Sequence, residues 1–183
     1  MGRAGDPLHK QIPDQKYNWN DETVNRVDWG AIPTEKMRTG KRIFVTSFCH
    51  QWMPLHQKLH QRKRIGSPLC PVCDADEEDH THFLTCPHYK GPDTKGIIRK
   101  IKHDMTKDGV DPVLQQLIKR GLRASVGEKQ DIKITDVPEE YHPLVADQQP
   151  IGWSHMWHAR WSRRWEDYQA GYETNQNKTR TNR

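Results

Sequence analysis

The sequence predicts an all-α fold in which helical segments flank a small finger or knuckle of cysteine and histidine. Three observations lead there. Apolar residues recur at three- and four-residue intervals in several stretches, the spacing of one helical face. Three cysteines and three histidines crowd between positions 70 and 88. Only 33% of the 183 residues are hydrophobic, with a mean hydropathy of −1.04. A chain this polar buries little apolar surface per residue, so its fold calls for a cross-link or a ligand.

Residues 1–20 are rich in Pro, Gly, Lys and Asp and read as a loose lead-in. Asn20-Asp21-Glu22 caps a short helix whose apolar side is Val24, Val27 and Trp29; Gly30 and Pro33 end it. A helix over 34–52 follows, capped by Thr34, with Ile43, Phe44, Phe48 and Trp52 facing a core and Cys49 as a small buried hydrophobe. Pro54 breaks the pattern at Met53, and a second helix carries Leu55 and Leu59. The finger spans 68–90. Beyond it, Ile97, Ile98, Ile101 and Met105 mark a helix over 96–107, stopped by Gly109. Asp111 and Pro112 supply the cap and first position of the next, whose stripe is Val113, Leu114, Leu117, Ile118 and Leu122. Residues 125–138 read as a linker, with a short extended piece at Ile132 and Ile134 and a short helix after Pro138. The last helix is expected over about 151–172. Trp153, Trp157, Trp161 and Trp165 recur there every four residues, with Tyr168 and Tyr172 extending the row. That row reads as a core-facing ridge or, with Arg160, Arg163 and Arg164 between the rings, as a surface for stacking on bases. The tail, 174–183, reads as disordered and basic. The expected organisation is one helical domain over 21–173 between two loose ends.

The net charge of +5 points to an anionic partner, nucleic acid being the usual one. The charge is unevenly placed. Between Lys36 and Cys73 there is no acidic residue, while Lys36, Arg38, Lys41, Arg42, Lys58, Arg62, Lys63 and Arg64 all fall there. Directly afterwards come Asp74, Asp76, Glu77, Glu78 and Asp79. Either the acidic turn pairs with the basic stretch or it leaves that stretch open to phosphates. Lys58, Arg62, Lys63 and Arg64 crowd the approach to the finger and are the expected phosphate contacts. No apolar run approaches the ~20 residues of a membrane span, and the N-terminus has no apolar signal core. The expectation is an intracellular protein, nuclear or cytoplasmic, with no membrane partner and no small-molecule substrate.

Cys70-Pro71-Val72-Cys73 places two thiolates on a tight knuckle. Eight residues then lead to His82, and three more to Cys86, a gap that turns both side chains the same way from one helical turn. Three thiolates and an imidazole favour zinc over calcium or magnesium. His80 and His88 are alternates for His82. A redox role for the Cys-x-x-Cys pair lacks the βαβ setting such motifs use. With all four positions filled by protein, one structural zinc ion is expected and no catalytic metal. No Gly-rich phosphate loop, carboxylate pair or Ser-His-Asp pattern stands out, so the chain is not expected to be an enzyme.

Phe48-Cys49-His50-Gln51-Trp52-Met53-Pro54, then basic residues, then Cys70-Pro71-Val72-Cys73, Glu77-Glu78, His82 and Cys86-Pro87 resemble the zinc-binding region near the C-terminal end of non-LTR retrotransposon reverse transcriptases. Val27-Asp28-Trp29 and the run from Gln149-Pro150-Ile151-Gly152-Trp153 to Trp165 and Gln169 extend the likeness over about 24–173. The His-to-Cys gap is three here and often four in that family. The family's polymerase motifs, including the Tyr-x-Asp-Asp metal site, are absent from this sequence. The resemblance therefore implies a zinc-stabilised accessory module that binds element RNA or its DNA target, beside a reverse transcriptase core. A protein–protein docking scaffold in a retroelement complex, or an inert fragment of such an element, is the alternative.

Overall fold

The computed structural model describes residues 19–31, 37–88, 93–126, 128 and 132–181. The lead-in up to 18, the Thr34 cap, the end of the finger at 89–90 and the last two residues of the tail lie outside them. The fold is all-α. Among the described residues its helices are α1 (Asp21–Arg26), α2 (Thr39–Cys49), α3 (His56–Gln61), α4 (His80–Thr85), α5 (Thr94–Lys107), α6 (Pro112–Ser125), α7 (His142–Ile151) and α8 (Arg164–Thr181), with short 3-10 turns at Ile134–Asp136, Glu139–Tyr141 and Trp153–His158. Among the described residues, β pairing is limited to two isolated antiparallel bridges, Val27 with Ser162 and Leu69 with Glu77.

Four of these helices, α1, α4, α5 and α6, begin where a short polar side chain takes up orphan amides. Asn20 accepts from the Thr23 amide, Asp79 from Thr81 and His82, Asp93 from Lys95, and Asp111 from Val113 ahead of Pro112. Several end in the same tight motif. In α2 the Trp52 amide donates to Ser47 O and the Gln51 amide to Phe48 O; in α3 Arg64 donates to Leu59 O and Lys63 to His60 O; in α5 Val110 donates to Met105 O and Gly109 to Thr106 O. The paired 6→1 and 5→2 bonds need a left-handed residue at the stop. Gly109 supplies it at φ 72, but Gln51 and Lys63 adopt it as non-glycines, each at φ 54.

The chain divides into two compact units. One comprises Met1–Ala31, Lys133–Gly152 and Arg160–Arg183. There Val27 and Ile151 are fully buried and cluster with the largely buried Trp19, and Val24 and Trp29 pack on them. The segment around Val27 pairs with that around Ser162: Asp28 N–H donates to Trp161 O at 2.7 Å and Arg163 N–H to Arg26 O at 3.0 Å. Gln148, fully buried, donates to Arg160 O and accepts from Ser162 N–H and the Trp165 indole.

The other unit comprises Ile32–Ile132 and Trp153–Ala159. Of the expected α6 stripe, Leu114, Leu117, Ile118 and Leu122 are buried and Val113 is half-buried, and Ile98 of α5 and Met156 of the 3-10 turn are buried with them. Trp157 donates its indole N–H to Leu122 O, and Ser125 Oγ donates to Trp153 O. Gly121 permits this approach: a Cβ there would lie 2.1 Å from Met156 Sδ and 3.0 Å from Trp153 Cε3.

Four expectations are corrected. Of the α2 residues expected to face a core, Ile43, Phe44 and Trp52 are exposed and Phe48 is half-buried, because α2 packs through its second half, with Phe48 against His158 and Cys49 buried, and ends at Cys49 before Trp52. The tryptophan row is not one helix over 151–172. α7 ends at Ile151, because Gly152 takes φ 92; a 3-10 turn follows to His158, Ala159 takes φ 54, and α8 begins only at Arg164. Trp153 and Trp157 thus belong to one unit and Trp161 and Trp165 to the other. Four-residue spacing satisfied the helical period, yet the Gly152 break and the extended pairing of residues 161–163 prevail over it. Arg160 is buried over the Trp29 ring, Arg163 donates to Val27 O, and Arg164 pairs with Asp147, so these cations are engaged inside their own unit. The tail is also helical, α8 continuing to Thr181 with Gln169–Glu173 and Thr174–Ala170 hydrogen bonds one turn apart. Lastly, the extended piece expected near Ile134 is a 3-10 turn.

Candidate metal centre

The finger starts as a narrow hairpin. Glu78 N–H donates to Pro68 O at 2.9 Å and Cys70 N–H to Asp76 O at 2.8 Å, on either side of the Leu69–Glu77 bridge. Asp74, at φ 54, turns the chain, and its amide donates to Cys70 O at 2.9 Å. Asp tolerates this left-handed conformation better than most residues. The turn aims backbone amides at sulfur: Ala75 and Asp76 N–H donate to Cys73 and hold its thiol down at about 6, against an ordinary 9.0. Cys70 also receives amide donors, from Cys73 and Val72, but burial dominates and pushes its thiol up.

The chain then enters α4. Asp79 caps it and fixes His82 in the first turn, and Cys86 sits at its C-cap with its amide on His82 O at 2.7 Å. One ligand atom from each of Cys70, Cys73, His82 and Cys86 lies within 4.8 Å of every other. Cys73 Sγ is 3.3 Å from His82 Nε2, and Cys70 Sγ is 3.9 Å from Cys86 Sγ. Zinc–sulfur bonds of about 2.3 Å in a tetrahedron put sulfurs about 3.8 Å apart, so the cradle matches a single zinc ion. A disulfide would need sulfurs near 2.05 Å. Nδ1 of His82 faces Asp76 Oδ2 at 3.8 Å, the outward carboxylate that commonly orients a metal-bound imidazole. Cys70 and Cys86 are buried, Cys73 and His82 half-buried.

The alternates lie elsewhere. His80 is buried, its ring 6.4 Å from Phe48 and 5.7 Å from His158. His88 is exposed in the turn after Cys86. Neither belongs to the four-residue cluster. Cys49 is a buried residue of α2, as expected.

The acidic run serves the finger. Buried Glu78 accepts from the His56 amide at 2.8 Å, Glu77 accepts from Gln57 Nε2 at 3.0 Å, and His56 Nδ1 lies 2.8 Å from Leu69 O. These contacts tie α3 to the hairpin. Asp79 carries a local sequence signal, standing directly before the first turn of α4, whereas Glu78 reaches the otherwise uncapped start of α3 only through the fold. Of the expected phosphate contacts, Lys58 is half-buried with Nζ 3.4 Å from Gln61 Oε1, while Arg62, Lys63 and Arg64 are exposed around the α3 stop. Among the described residues none of the four forms an ion pair with the acidic run. Nor, among those residues, is any helix long and apolar enough to cross a membrane.

Comparison with known protein families, characterised proteins and solved structures returns no match.

Proposed function

We propose that the protein is a zinc-stabilised nucleic-acid-binding module. Cys70, Cys73, His82 and Cys86 would hold one zinc ion, which supplies folding energy and no open coordination position for chemistry. The observation that carries the reading is the fate of the acidic run. Glu77, Glu78 and Asp79 are spent on the hairpin, the start of α3 and the cap of α4. Arg62, Lys63 and Arg64 are therefore left exposed at the stop of α3, the helix whose start is tied to the hairpin, with Lys58 one helical turn behind. Exposed cations that, among the described residues, form no ion pair with the acidic run suit a phosphate backbone and give affinity more than sequence choice. The likeness to the zinc-binding region of retrotransposon reverse transcriptases supports the same reading and suggests an accessory role beside such an enzyme.

The test is salt dependence. Four phosphate contacts give a slope of log K on log salt of about −3 to −4, so affinity should fall about a hundredfold between 50 and 200 mM salt. Replacing Arg62, Lys63 and Arg64 by Glu should abolish binding while zinc content is kept. Affinity that is flat with salt, or unchanged in the triple variant, would overturn the proposal.

A further inference from the structure

We infer that the first half of α2 and Trp52 form a stacking site for unpaired bases, which makes the preferred ligand a single-stranded nucleic acid. This deepens the nucleic-acid reading above and rests on it.

Exposed side chains are common and need a pattern to mean anything. Here there is one. Ile43 is 61% exposed, Phe44 53% and Trp52 49%, and every residue from Arg38 to Phe44 is exposed. Trp52 is the exception among the seven tryptophans, the others being buried or half-buried. The two aromatics are held from behind. Phe44 stacks on Phe48 at 6.3 Å and 10°, and Phe48 lies 5.1 Å from buried His158. The His50 ring lies 4.7 Å from that of Trp52 at 22°, and the Trp52 amide is fixed by Ser47 O at 2.7 Å.

Charge decides the occupant. Arg38 at the N-cap of α2 and Lys41 and Arg42 in its first half, which also carries Phe44, are exposed, in a stretch of sequence with no carboxylate between residues 36 and 73. A protein partner's surface carries both signs, whereas a polynucleotide offers only negative charge to such a surface. Bases supply flat π faces for Phe44 and Trp52, and phosphates supply the counter-charge for the three cations. In a duplex those faces are covered by neighbouring base pairs, so only unpaired bases can stack here.

The experiment compares full-length protein and its Trp52→Ala, Trp52→Phe and Phe44→Ala variants on a single-stranded oligonucleotide of about 16 nucleotides and on the matching duplex. Each alanine variant should weaken single-strand binding on the order of tenfold or more and leave duplex binding and zinc content unchanged. Trp52→Phe should restore most of the loss. Equal losses on both ligands, or none, would overturn the stacking site while leaving the phosphate reading intact. Absence of salt-dependent binding to either ligand by the unaltered protein would overturn both. Size-exclusion chromatography supplies the last arm: an unaltered protein that dimerises and alanine variants that do not would make the patch a self-association surface instead.

Discussion

The indole N–H of Trp165 donates to the side-chain oxygen of Gln148 at 3.0 Å, with both residues buried. The same oxygen accepts from Ser162 N–H at 2.9 Å, and the Gln148 amide nitrogen donates to Arg160 O at 3.1 Å. One polar side chain thereby fixes the extended segment 160–162 and the start of α8 against α7. Gln148→Leu removes all three bonds and buries their former partners. The expected loss is about 3 kcal/mol, since each such deletion costs about 1–3 kcal/mol and relaxation recovers part. Urea unfolding of the zinc-loaded protein measures it. A loss under about 0.5 kcal/mol would mean that this network does not hold the unit together.

Two helical glycines should respond oppositely to the same substitution. Gly40 in α2 has nothing within 4 Å of its missing Cβ, so Gly40→Ala should stabilise by about 0.5–1 kcal/mol through helix propensity. At Gly121 the added carbon would strike Met156 Sδ, and Met156 is itself buried. Gly121→Ala should therefore give up the propensity gain and cost about 1 kcal/mol net, as overpacking typically costs about 1–3 kcal/mol. Melting temperatures of the two variants, taken at one zinc concentration, decide it; a rise for both would show that the 3-10 turn is free to move away from α6.

These cases mark the limits of what the sequence exposes. Local rules carried far: Asp111 with Pro112, the α6 stripe and the spacing of Cys70, Cys73, His82 and Cys86 all depend on neighbours within a few turns, and each appears where periodicity puts it. The failures are non-local. The tryptophan row obeys a helical period, but it is cut by Gly152 and by the pairing of Val27 with Ser162, 135 residues away, and no window along the chain contains both partners. The partner of Glu78 is non-local too: it accepts from the His56 amide, 22 residues back, whereas the cap made by Asp79 on Thr81 and His82 is local and lies within the charged run.

Strain at the α3 stop offers a separation of stability from binding. Lys63 adopts φ 54 at a position where glycine is favoured, and a non-glycine residue in that region costs about 1 kcal/mol or more. Lys63→Gly should stabilise by up to about 1 kcal/mol and yet weaken nucleic-acid binding, with the salt slope reduced by about 1. Gln51→Gly, the same change at the α2 stop, should stabilise similarly without altering the slope. Paired melting and salt-titration curves test both. A stable Lys63→Gly protein with an unchanged slope would remove Lys63 from the phosphate contacts.

Ligand identity can be tested at two histidines only two positions apart. His82→Ala should lower zinc content well below one per chain, because His82 Nε2 lies 3.3 Å from Cys73 Sγ. His80→Ala should keep the zinc and instead loosen the packing of Phe48 and His158, at a cost of about 1–3 kcal/mol. Chelation should lower helical signal in the unaltered protein and in His80→Ala, and change His82→Ala little. Metal analysis with circular dichroism reads all of this, and retention of zinc by His82→Ala would return the fourth ligand to His80 or His88.

The amide donors on Cys73 give zinc binding a proton signature. Ala75 and Asp76 hold that thiol at about 6, below its ordinary 9.0, while burial pushes Cys70 up. A depressed acidic group favours the folded state above its unfolded value and loses that contribution as pH falls through its folded value, so the Cys73 contribution disappears between about 9 and about 6. At pH 7–8 Cys73 is already a thiolate in the folded finger, and zinc need not expel its proton. Chain held unfolded in urea lacks the amide geometry, so its Cys73 must release one. Calorimetry in buffers of different ionisation enthalpy should therefore find about one proton fewer released per zinc by the folded protein than by the urea-held chain, the difference vanishing below about pH 6. Equal proton release under both conditions would mean that the knuckle forms only when the metal arrives.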